Sequence, residues 1–398
     1  MSENNHLVCG LDIGTTKIIA AIAEVDQNKQ WQLKGFGQVP CRGLRKGVVV
    51  DIELTKRAII SAMDAAQKQA GVNISSVVVG VAGQHIRCIN SYGIVAIQAK
   101  TVTEQDIARA IDAARAVALS ENERVLHVLP QEFFIDGQEG IKDPINMSGV
   151  RLEVKVHIVV ASGSAVQNII NCVEQCNLDV QEVVLEQLAS SYAVLTNDEK
   201  DLGVCMLDIG GGTADIAVFT GGAIRYSSAV PIAGDQVTSD LAVVLKTGIE
   251  SAESLKINHA SAKVIESQEK VSPELNNSES YPLKLITQVV NARYEELFVL
   301  VLDQLRRCGF HDRIKFGLVL TGGGSRVAGV AELAQEVISL NTRVTAPSNA
   351  NAILKSPECA TVVGLIDYAV EQLSGKSTYT VSSEQIMGKV KKWFAENF

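Results

Sequence analysis

The feature that most constrains this chain is a short phrase that occurs twice, near the start and near the middle. Residues 8–14 read VCGLDIG and residues 204–210 read VCMLDIG, so the copies differ only at Gly10 and Met206. In each copy an apolar run ends in Asp-Ile-Gly, small or hydroxyl residues follow, and a second apolar run begins. This pattern predicts a β-hairpin in each half, because glycine allows the positive φ that such turns need. Two such hairpins are able to close on the two ends of one phosphate chain.

Length and composition predict two domains in a reducing compartment. The chain has 398 residues, of which 46% are hydrophobic, and this is ample for two cores. A net charge of −9 argues against a nucleic-acid partner, since phosphate backbones are bound by excess lysine and arginine. The cysteines are scattered without a CxxC pair, as is typical of reduced, buried thiols. Without a secretory signal or an apolar stretch of roughly 20 residues, we expect a cytosolic protein.

The two turns contain groups that suit a phosphate chain and a divalent cation. Turn amides can donate to phosphate oxygens, hydroxyl groups add donors, and one lysine adds a positive charge. Two carboxylates would repel phosphate without a cation, so Asp12 and Asp208 are predicted to hold waters on Mg²⁺, with Asp215 a weaker candidate. The alternative is that Asp and Gly only form two turns, as they do in many proteins. The predicted phosphate ligands are Gly14, Thr15, Thr16, Lys17, Gly210, Gly211, Gly212 and Thr213.

A third glycine cluster lies between an apolar run at 316–320 and an amphipathic helix pattern at 327–337. Glycines at a strand-to-helix step let a ligand approach the backbone and the helix N-terminus, although a lone glycine run also forms simple turns. Neither GxxxxGK[ST] nor GxGxxG occurs, so the chain carries neither a P-loop nor a dinucleotide fingerprint. The cluster consists of Gly322, Gly323, Gly324 and Ser325.

The two Asp-Ile-Gly hairpins and the late Gly-Gly-Gly-Ser turn resemble the actin, Hsp70 and sugar-kinase superfamily. The resemblance implies two ribonuclease H-like α/β domains with ATP and Mg²⁺ in the cleft between them. Residues 11–17, 207–215 and 320–325 would be its phosphate 1, phosphate 2 and adenosine motifs. Glu186 falls where such proteins place a group that orients the attacking water. Further implied nucleotide contacts are Gly234, Asp235, Glu253 and Lys256, the last two with a solvated helix face as the alternative.

Within that superfamily the whole chain resembles the FtsA family of actin-like bacterial cell-division proteins. Stretches at 188–192, 210–217, 292–297 and 360–365 support this resemblance. In the inserted piece, residues 86–97 are predicted to form a hairpin. The implied domains are 1A (1–83 and 161–195), the inserted subdomain 1C (84–160), 2A (196–228 and 307–373), 2B (229–306), a linker (374–385) and an amphipathic membrane-targeting helix (386–398).

The last 13 residues predict a helix that lies on a membrane surface. An apolar face that contains aromatic residues and is bordered by lysines combines buried area with attraction to anionic lipid, and the helix is too short to span. The alternative is a terminal helix packed on its own domain, which the polar Ser/Thr-rich linker disfavours. The face comprises Ile386, Met387, Val390, Trp393, Phe394 and Phe398, with Lys389 and Lys391 beside it and Lys392 behind it.

The FtsA resemblance also implies partners and a location. FtsA-like proteins assemble into filaments on the cytoplasmic face of the inner membrane at the division site, and alignment of many weak anchors makes attachment firm. They capture the C-terminal peptide of FtsZ through subdomain 2B and help recruit later division proteins, with at most weak ATPase activity. Arg293, Arg306 and Arg307 are candidate contacts for acidic groups on that peptide, and a solvated helix face explains them equally well.

Two other functions fit the nucleotide motifs. A soluble small-molecule kinase of the same superfamily would need a general base beside the γ-phosphate and has no use for an amphipathic tail. An ATP-binding pilus-assembly protein with a similar insertion would not need a membrane-binding tail either. Removal of residues 386–398 therefore discriminates between the three interpretations.

Overall fold

The computed structural model describes residues 6–274, 279–348, 351–373 and 381–382. Its strands are β1 (His6–Ile13), β2 (Lys17–Val25), β3 (Trp31–Pro40), β4 (Leu44–Arg45), β5 (Val48–Val49), β6 (Ser76–Val81), β7 (Ile86–Ala96), β8 (Glu123–Ile135), β9 (Gln138–Ile141), β10 (Arg151–Ser162), β11 (Asp179–Leu185), β12 (Val204–Ile209), β13 (Ala214–Thr220), β14 (Ala223–Val230), β15 (Lys270–Val271), β16 (Tyr281–Pro282), β17 (Gly317–Thr321), β18 (Thr342–Val344) and β19 (Val381–Ser382). Its helices are α1 (Ile52–Ala70), α2 (Glu104–Arg115), α3 (Gly163–Glu174), α4 (Glu186–Val194), α5 (Asn197–Leu202), α6 (Gly234–Leu245), α7 (Ile249–His259), α8 (Leu283–Arg307), α9 (Val330–Ile338) and α10 (Ala360–Leu373). Short 3₁₀ turns span His311–Arg313, Gly323–Arg326, Ala352–Leu354 and Pro357–Cys359.

Two five-stranded sheets share one topology. The first has the strand order β11-β6-β1-β2-β3, and the second has the order β18-β17-β12-β13-β14. In each sheet the strand that carries the repeated phrase pairs antiparallel with its hairpin partner and parallel with a later strand. The parallel pairings require crossovers through helices, which cover the faces of both sheets. The predicted hairpins in two similar α/β domains are confirmed.

The two hairpin turns have the same backbone hydrogen bond. The N–H of Gly14 donates to the C=O of Lys17, and the N–H of Gly210 donates to the C=O of Thr213, both at 3.0 Å. Every residue of both turns is described, and no glycine in them has a positive φ. The expected reason for glycine, a left-handed backbone, is therefore wrong at these positions. A Cβ on Gly14 or Gly210 would crowd the carbonyl that closes its own turn, whereas Gly211 and Gly212 leave space for the opposite turn.

The inserted piece forms its own sheet and core. Strands β7, β10 and β8 pair antiparallel, β9 pairs with β8, and α2 packs on the sheet over an apolar cluster of its own. The hairpin predicted at 86–97 is wrong, because β7 is one strand that pairs with β10 along its length. Gly93 lies in the middle of that strand, where a Cβ would stand 1.9 Å from the backbone oxygen of Ala110 in α2. Close helix packing, and not a turn, accounts for this glycine.

Helices α4 and α10 lie side by side between the two sheets. A Cβ on Gly364 of α10 would stand 1.8 Å from the backbone oxygen of Ala189 in α4, so only glycine permits this approach. Helix α10 also packs on β1, β2 and β6, and its apolar residues join the core of the first sheet. The range predicted for domain 2A (307–373) includes α10, whereas α10 packs on the first sheet. The N-terminal turns of both helices lie beside the repeated hairpins, so the two helices connect the two halves.

Helices α6, α7 and α8 form the layer predicted as subdomain 2B, and they share one core with the second sheet. Among the described helices, none is both long and apolar enough to cross a bilayer. In the linker, β19 pairs antiparallel with the outer edge of β8, through Val381 to Val128. The linker therefore contacts subdomain 1C at this point. The predicted membrane-binding helix (386–398) lies outside the described residues.

Candidate functional site

The repeated turns face each other across one cavity between the two sheets. Its wall includes the first turn from Gly14 to Lys17, the second turn from Gly210 to Thr213, and Gly322 and Gly323 of the third cluster. Asp12, Asp208, Asp215 and Glu186 line the same cavity. Residues predicted from three distant segments are thus brought together at one place. Because both turns end strands of the sheet cores, the rigid parts of the fold hold them in position.

The glycines of the second turn let the two turns touch. A Cβ on Gly211 would stand 2.3 Å from Cγ2 of Thr16, and a Cβ on Gly212 would stand 2.5 Å from Oγ1 of Thr15. Any side chain at Gly211 or Gly212 would therefore push the halves apart. Gly322, with a positive φ of 83°, gives the third cluster a close approach to the second hairpin within the same sheet. A Cβ there would stand 2.2 Å from Oδ1 of Asp208.

Four carboxyl groups share the interior of the cavity. Burial raises the pKa of Asp12 to about 7, with Lys17 opposing the shift and Asp208 adding to it. Burial and the charge of Asp208 raise the pKa of Asp215 to about 8, against the hydrogen bond from Thr213. Burial and the neighbouring carboxylates also hold the pKa of Glu186 well above its ordinary value. Among the described residues no three such groups are arranged to bind a metal ion directly. A cation that these carboxyls attract would therefore be held through water, which suits Mg²⁺.

Two polar residues of α4 hold these carboxylates, and the sequence analysis missed both. The hydroxyl of Ser190 donates to Oδ2 of Asp208 at 2.7 Å and lies 3.1 Å from the hydroxyl of Thr361 in α10. Nε2 of Gln187 donates to Oδ1 of Asp215 at 3.1 Å. Ser190 lies one helical turn after Glu186, so helical spacing from Glu186 was the signal that pointed to it. The two helices between the sheets therefore position the carboxylates of the second hairpin.

A second cavity of about 430 Å³ adjoins the first on the side of subdomain 2B. Glu253, Lys256, Gly234, Gly323 and Gly324 line it, as does the buried ring of Tyr294. Nζ of Lys256 donates to the backbone oxygen of Gly234 at 3.1 Å and pairs with Glu253 at 2.7 Å. Most of the residues predicted to contact the nucleoside therefore meet here, beside the phosphate turns.

Two predicted contacts lie away from the walls of these cavities. The N–H of Asp235 donates to the backbone oxygen of Gly211 at 2.8 Å, so this residue ties α6 to the second turn. The hydroxyl of Ser325 is buried and donates to the backbone oxygen of Gly322 at 2.8 Å. Both positions shape the backbone of the site. Tyr294, which the sequence analysis did not single out, donates from its hydroxyl to the backbone oxygen of Gly324 at 2.7 Å.

The arginines predicted to bind a partner lie on α8, where two of them are paired within the chain. Arg293 pairs with Asp240 at 2.6 Å and with Glu296, and Arg307 pairs with Asp303 at 2.9 Å. Arg306 is exposed in the last turn of α8. The intramolecular carboxylates neutralise much of the charge that would attract an acidic peptide.

Two family models and a full-length relative match this chain. The family model described as "Cell division protein FtsA" matches residues 205–364, and the model for the SHS2 domain inserted in FtsA matches residues 83–160. A cell division protein FtsA from Pseudomonas aeruginosa is 45% identical over 413 residues, covering 100% of this chain and 99% of the relative.

Solved structures with the same fold are more distant in sequence. A chain of the PilM-PilN type IV pilus biogenesis complex superposes with a TM-score of 0.68 at 18% identity, covering 92% of this chain and 98% of that one. MreB5 of Spiroplasma citri bound to ADP superposes with a TM-score of 0.56 at 14% identity, covering 93% of this chain and 98% of that one. These similarities establish an actin-like fold.

Proposed function

The chain belongs to the FtsA family of cell-division proteins, and we propose that it binds ATP with Mg²⁺ and polymerises on the membrane. The filament forms on the cytoplasmic face of the inner membrane at the division site. There it tethers FtsZ filaments through their C-terminal peptide and helps recruit later division proteins. The observation that carries the proposal is the single cavity on which both hairpin turns and the third glycine cluster converge.

The cavity has the donors and the space that a nucleotide needs. The backbone amides and hydroxyls of both turns, together with Lys17, surround the first cavity and would bind the phosphates. The adjoining 430 Å³ cavity would take the nucleoside, with Glu253 and Lys256 beside the ribose. MreB5, which shares the fold, was solved with ADP bound. The nucleotide would thus lie between the two domains and contact both.

The carboxylates would hold Mg²⁺ against the phosphates. Asp12 and Asp208 face the cavity from the two hairpins and would bind the cation through water, while Ser190 keeps Asp208 oriented. The bound cation would neutralise phosphate charge. Glu186 begins α4 at the floor of the cavity, where its carboxyl would orient a water molecule towards the terminal phosphate. Burial and the neighbouring carboxylates raise the pKa of Glu186, so its carboxylate is a stronger base than that of an exposed glutamate.

Membrane attachment is assigned to the amphipathic segment at 386–398, and the linker that leads to it contacts subdomain 1C through β19. A short interfacial helix binds weakly on its own, and a filament multiplies the attachment. Nucleotide binding that closes the two domains would favour the filament. Nucleotide, assembly and membrane binding are therefore linked in one sequence of events.

Co-sedimentation with anionic liposomes tests this proposal directly. We expect the full chain to sediment with liposomes, more strongly with ATP and Mg²⁺, and to carry FtsZ with it. Deletion of 386–398 and the substitution Trp393→Glu should both abolish sedimentation, whereas Glu396→Gln, off the apolar face, should not. Binding that ignores both the tail and the nucleotide would contradict the proposal and favour a soluble kinase.

A further inference from the structure

Glu358 lies where the two cavities of the site meet. It belongs to the 3₁₀ turn Pro357–Cys359, directly before α10, and its side chain lines both the phosphate cavity and the adjoining nucleoside cavity. The sequence analysis gave it no role. A nucleotide that occupies both cavities must pass beside this carboxylate.

Glu358 is bonded to the cation of the first turn. Nζ of Lys17 donates to Oε2 of Glu358, and the side chains are only 22% and 21% exposed. Burial acts to raise the pKa of Glu358, but the hydrogen bond and charge of Lys17 outweigh it and lower that pKa. Glu358 therefore stays ionised, and partial burial makes this pair stronger than a surface ion pair.

Lys17 is the only basic side chain in the wall of the phosphate cavity, among the residues that the structure describes. The other titratable groups of that wall are the carboxyls of Asp12, Asp208, Asp215, Glu186 and Glu358. A polyphosphate that enters must either share the ammonium group of Lys17 with Glu358 or displace Glu358 from it. If Glu358 kept the ammonium charge of Lys17 neutralised, that charge would no longer offset the repulsion between the remaining carboxylates and the phosphates.

Glu358 also has a second set of partners to turn to. Its Oε1 accepts from Nη1 of Arg326 at 3.3 Å and from the hydroxyl of Ser356 at 3.3 Å. Arg326 follows the third glycine cluster and is exposed, so it is able to follow the carboxylate. A carboxylate between two cations can move from one towards the other without becoming unpaired.

We propose that Glu358 is an internal competitor for the nucleotide phosphates, which holds Lys17 until a polyphosphate displaces it and then pairs with Arg326. This inference rests on the proposed nucleotide site and adds a specificity-determining residue to it. Glu358 lowers the affinity of the site for any polyphosphate. The affinity is lowered most for a nucleotide without a bound cation. Glu358 thereby makes occupancy of the site depend on the Mg²⁺ complex.

The test is a titration of the full chain with a fluorescent ATP analogue, with Mg²⁺ and separately with EDTA. We expect Glu358→Gln to bind the analogue about tenfold tighter, with the larger gain in EDTA, since a charged hydrogen bond that competes with the ligand is removed. Arg326→Gln should instead weaken binding a few-fold, because Glu358 loses its alternative partner. In the Glu358→Gln background, Arg326→Gln should have no effect.

A control variant and a second substitution keep the outcome interpretable. Glu132→Gln breaks a partly buried ion pair with Arg225 away from the site and should leave binding unchanged. If Glu358→Gln fails to fold, Glu358→Asp, whose shorter side chain reaches Lys17 poorly, should also bind more tightly than wild type. If wild type binds the analogue and the folded Glu358 variants bind it equally or more weakly, the role of Glu358 is overturned while the nucleotide site stands. No binding by wild type or variants overturns the nucleotide site, and the inference with it.

Discussion

The two hairpins share their backbone and differ in what their turns contain. Both end in Asp-Ile-Gly and close with the same 3.0 Å hydrogen bond across the turn. The first turn continues with Thr15, Thr16 and Lys17, which supply hydroxyls and a cation, whereas the second continues with Gly211 and Gly212, which supply space. The similarity positions the turns, and the difference lets one turn fit against the other. A site between two similar domains thus needs unequal halves.

The same contrast continues along the strands. Opposite Asp208 in its hairpin stands Asp215, whereas opposite Asp12 stands Ile19, so the second hairpin carries an additional carboxyl. At the one position where the repeated phrase differs, Gly10 leaves room for α10, and a Cβ there would stand 2.9 Å from the backbone oxygen of Val362. Packing by different helices accounts for this divergence.

Removal of the charged group of either turn should have the largest effect. Lys17→Ala and Asp208→Ala are each expected to weaken ATP binding more than about 100-fold, because charge-assisted contacts to phosphate or to its cation are lost. Isothermal titration with MgATP measures the loss. Glu132→Gln, which breaks an ion pair with Arg225 away from the site, is the control and should leave binding unchanged. If both charge variants bind MgATP as wild type does, Lys17 and Asp208 do not contribute to nucleotide binding.

Filling the space in the second turn should have the next largest effect. Gly212→Ala places a methyl group against Oγ1 of Thr15, and we expect about tenfold weaker ATP binding because the turns separate. Thr15→Gly in the same chain removes the nearest obstacle and should recover part of the loss. The recovery stays partial because the Cα of Lys46 still stands 3.0 Å from the new Cβ and the Thr15 hydroxyl is lost. The comparison between turns predicts this rescue, and its absence would mean that Gly212 matters for another reason.

The divergent position of the repeat affects stability more than binding. Gly10→Ala should lower the free energy of unfolding by about 1–3 kcal/mol, because the added Cβ presses on α10. Gly248→Ala is the control for a glycine with free space, since no atom lies within 4 Å of a Cβ there. The exchange of the glycine N-cap of α7 for alanine should cost less than about 1 kcal/mol. Denaturant unfolding of both variants gives the comparison. Equal effects would show that α10 adjusts without cost.

Short-range patterns in the sequence predicted the parts of the fold that depend on contacts between neighbouring residues. The repeated phrase and the apolar runs on both sides of each turn are short-range signals. They predicted both hairpins and the two-domain architecture. The hairpin wrongly predicted at 86–97 shows the limit of such signals. The pairing of β7 with β10 and the packing of Gly93 against α2 are contacts with distant residues, which have no local signature.

Contacts between distant segments were not predictable in this way. Lys17 and Glu358 are far apart in the chain and meet only because α10 returns to the first sheet, a return that the assignment of 307–373 to domain 2A overlooked. Ser190 acquires its role only when α4 brings it to Asp208. Periodicity shows which face of a helix is buried, but it does not show what that face meets.

The additional carboxyl of the second hairpin should produce the smallest effect, a change in the pH dependence of stability. In the folded chain the pKa of Asp215 is about 8, against 3.8 for an ordinary aspartate, so the folded state binds more protons over that range. Stability without metal therefore falls as pH rises from about 4 to about 8 and then levels off. Asp215→Asn removes this contribution while its amide oxygen can still accept from Gln187. In EDTA, the melting temperature of the variant relative to that of wild type should be higher at pH 9 than at pH 6. Ile19→Val, at the corresponding place in the first hairpin, should change the melting temperature by the same amount at pH 6 and at pH 9.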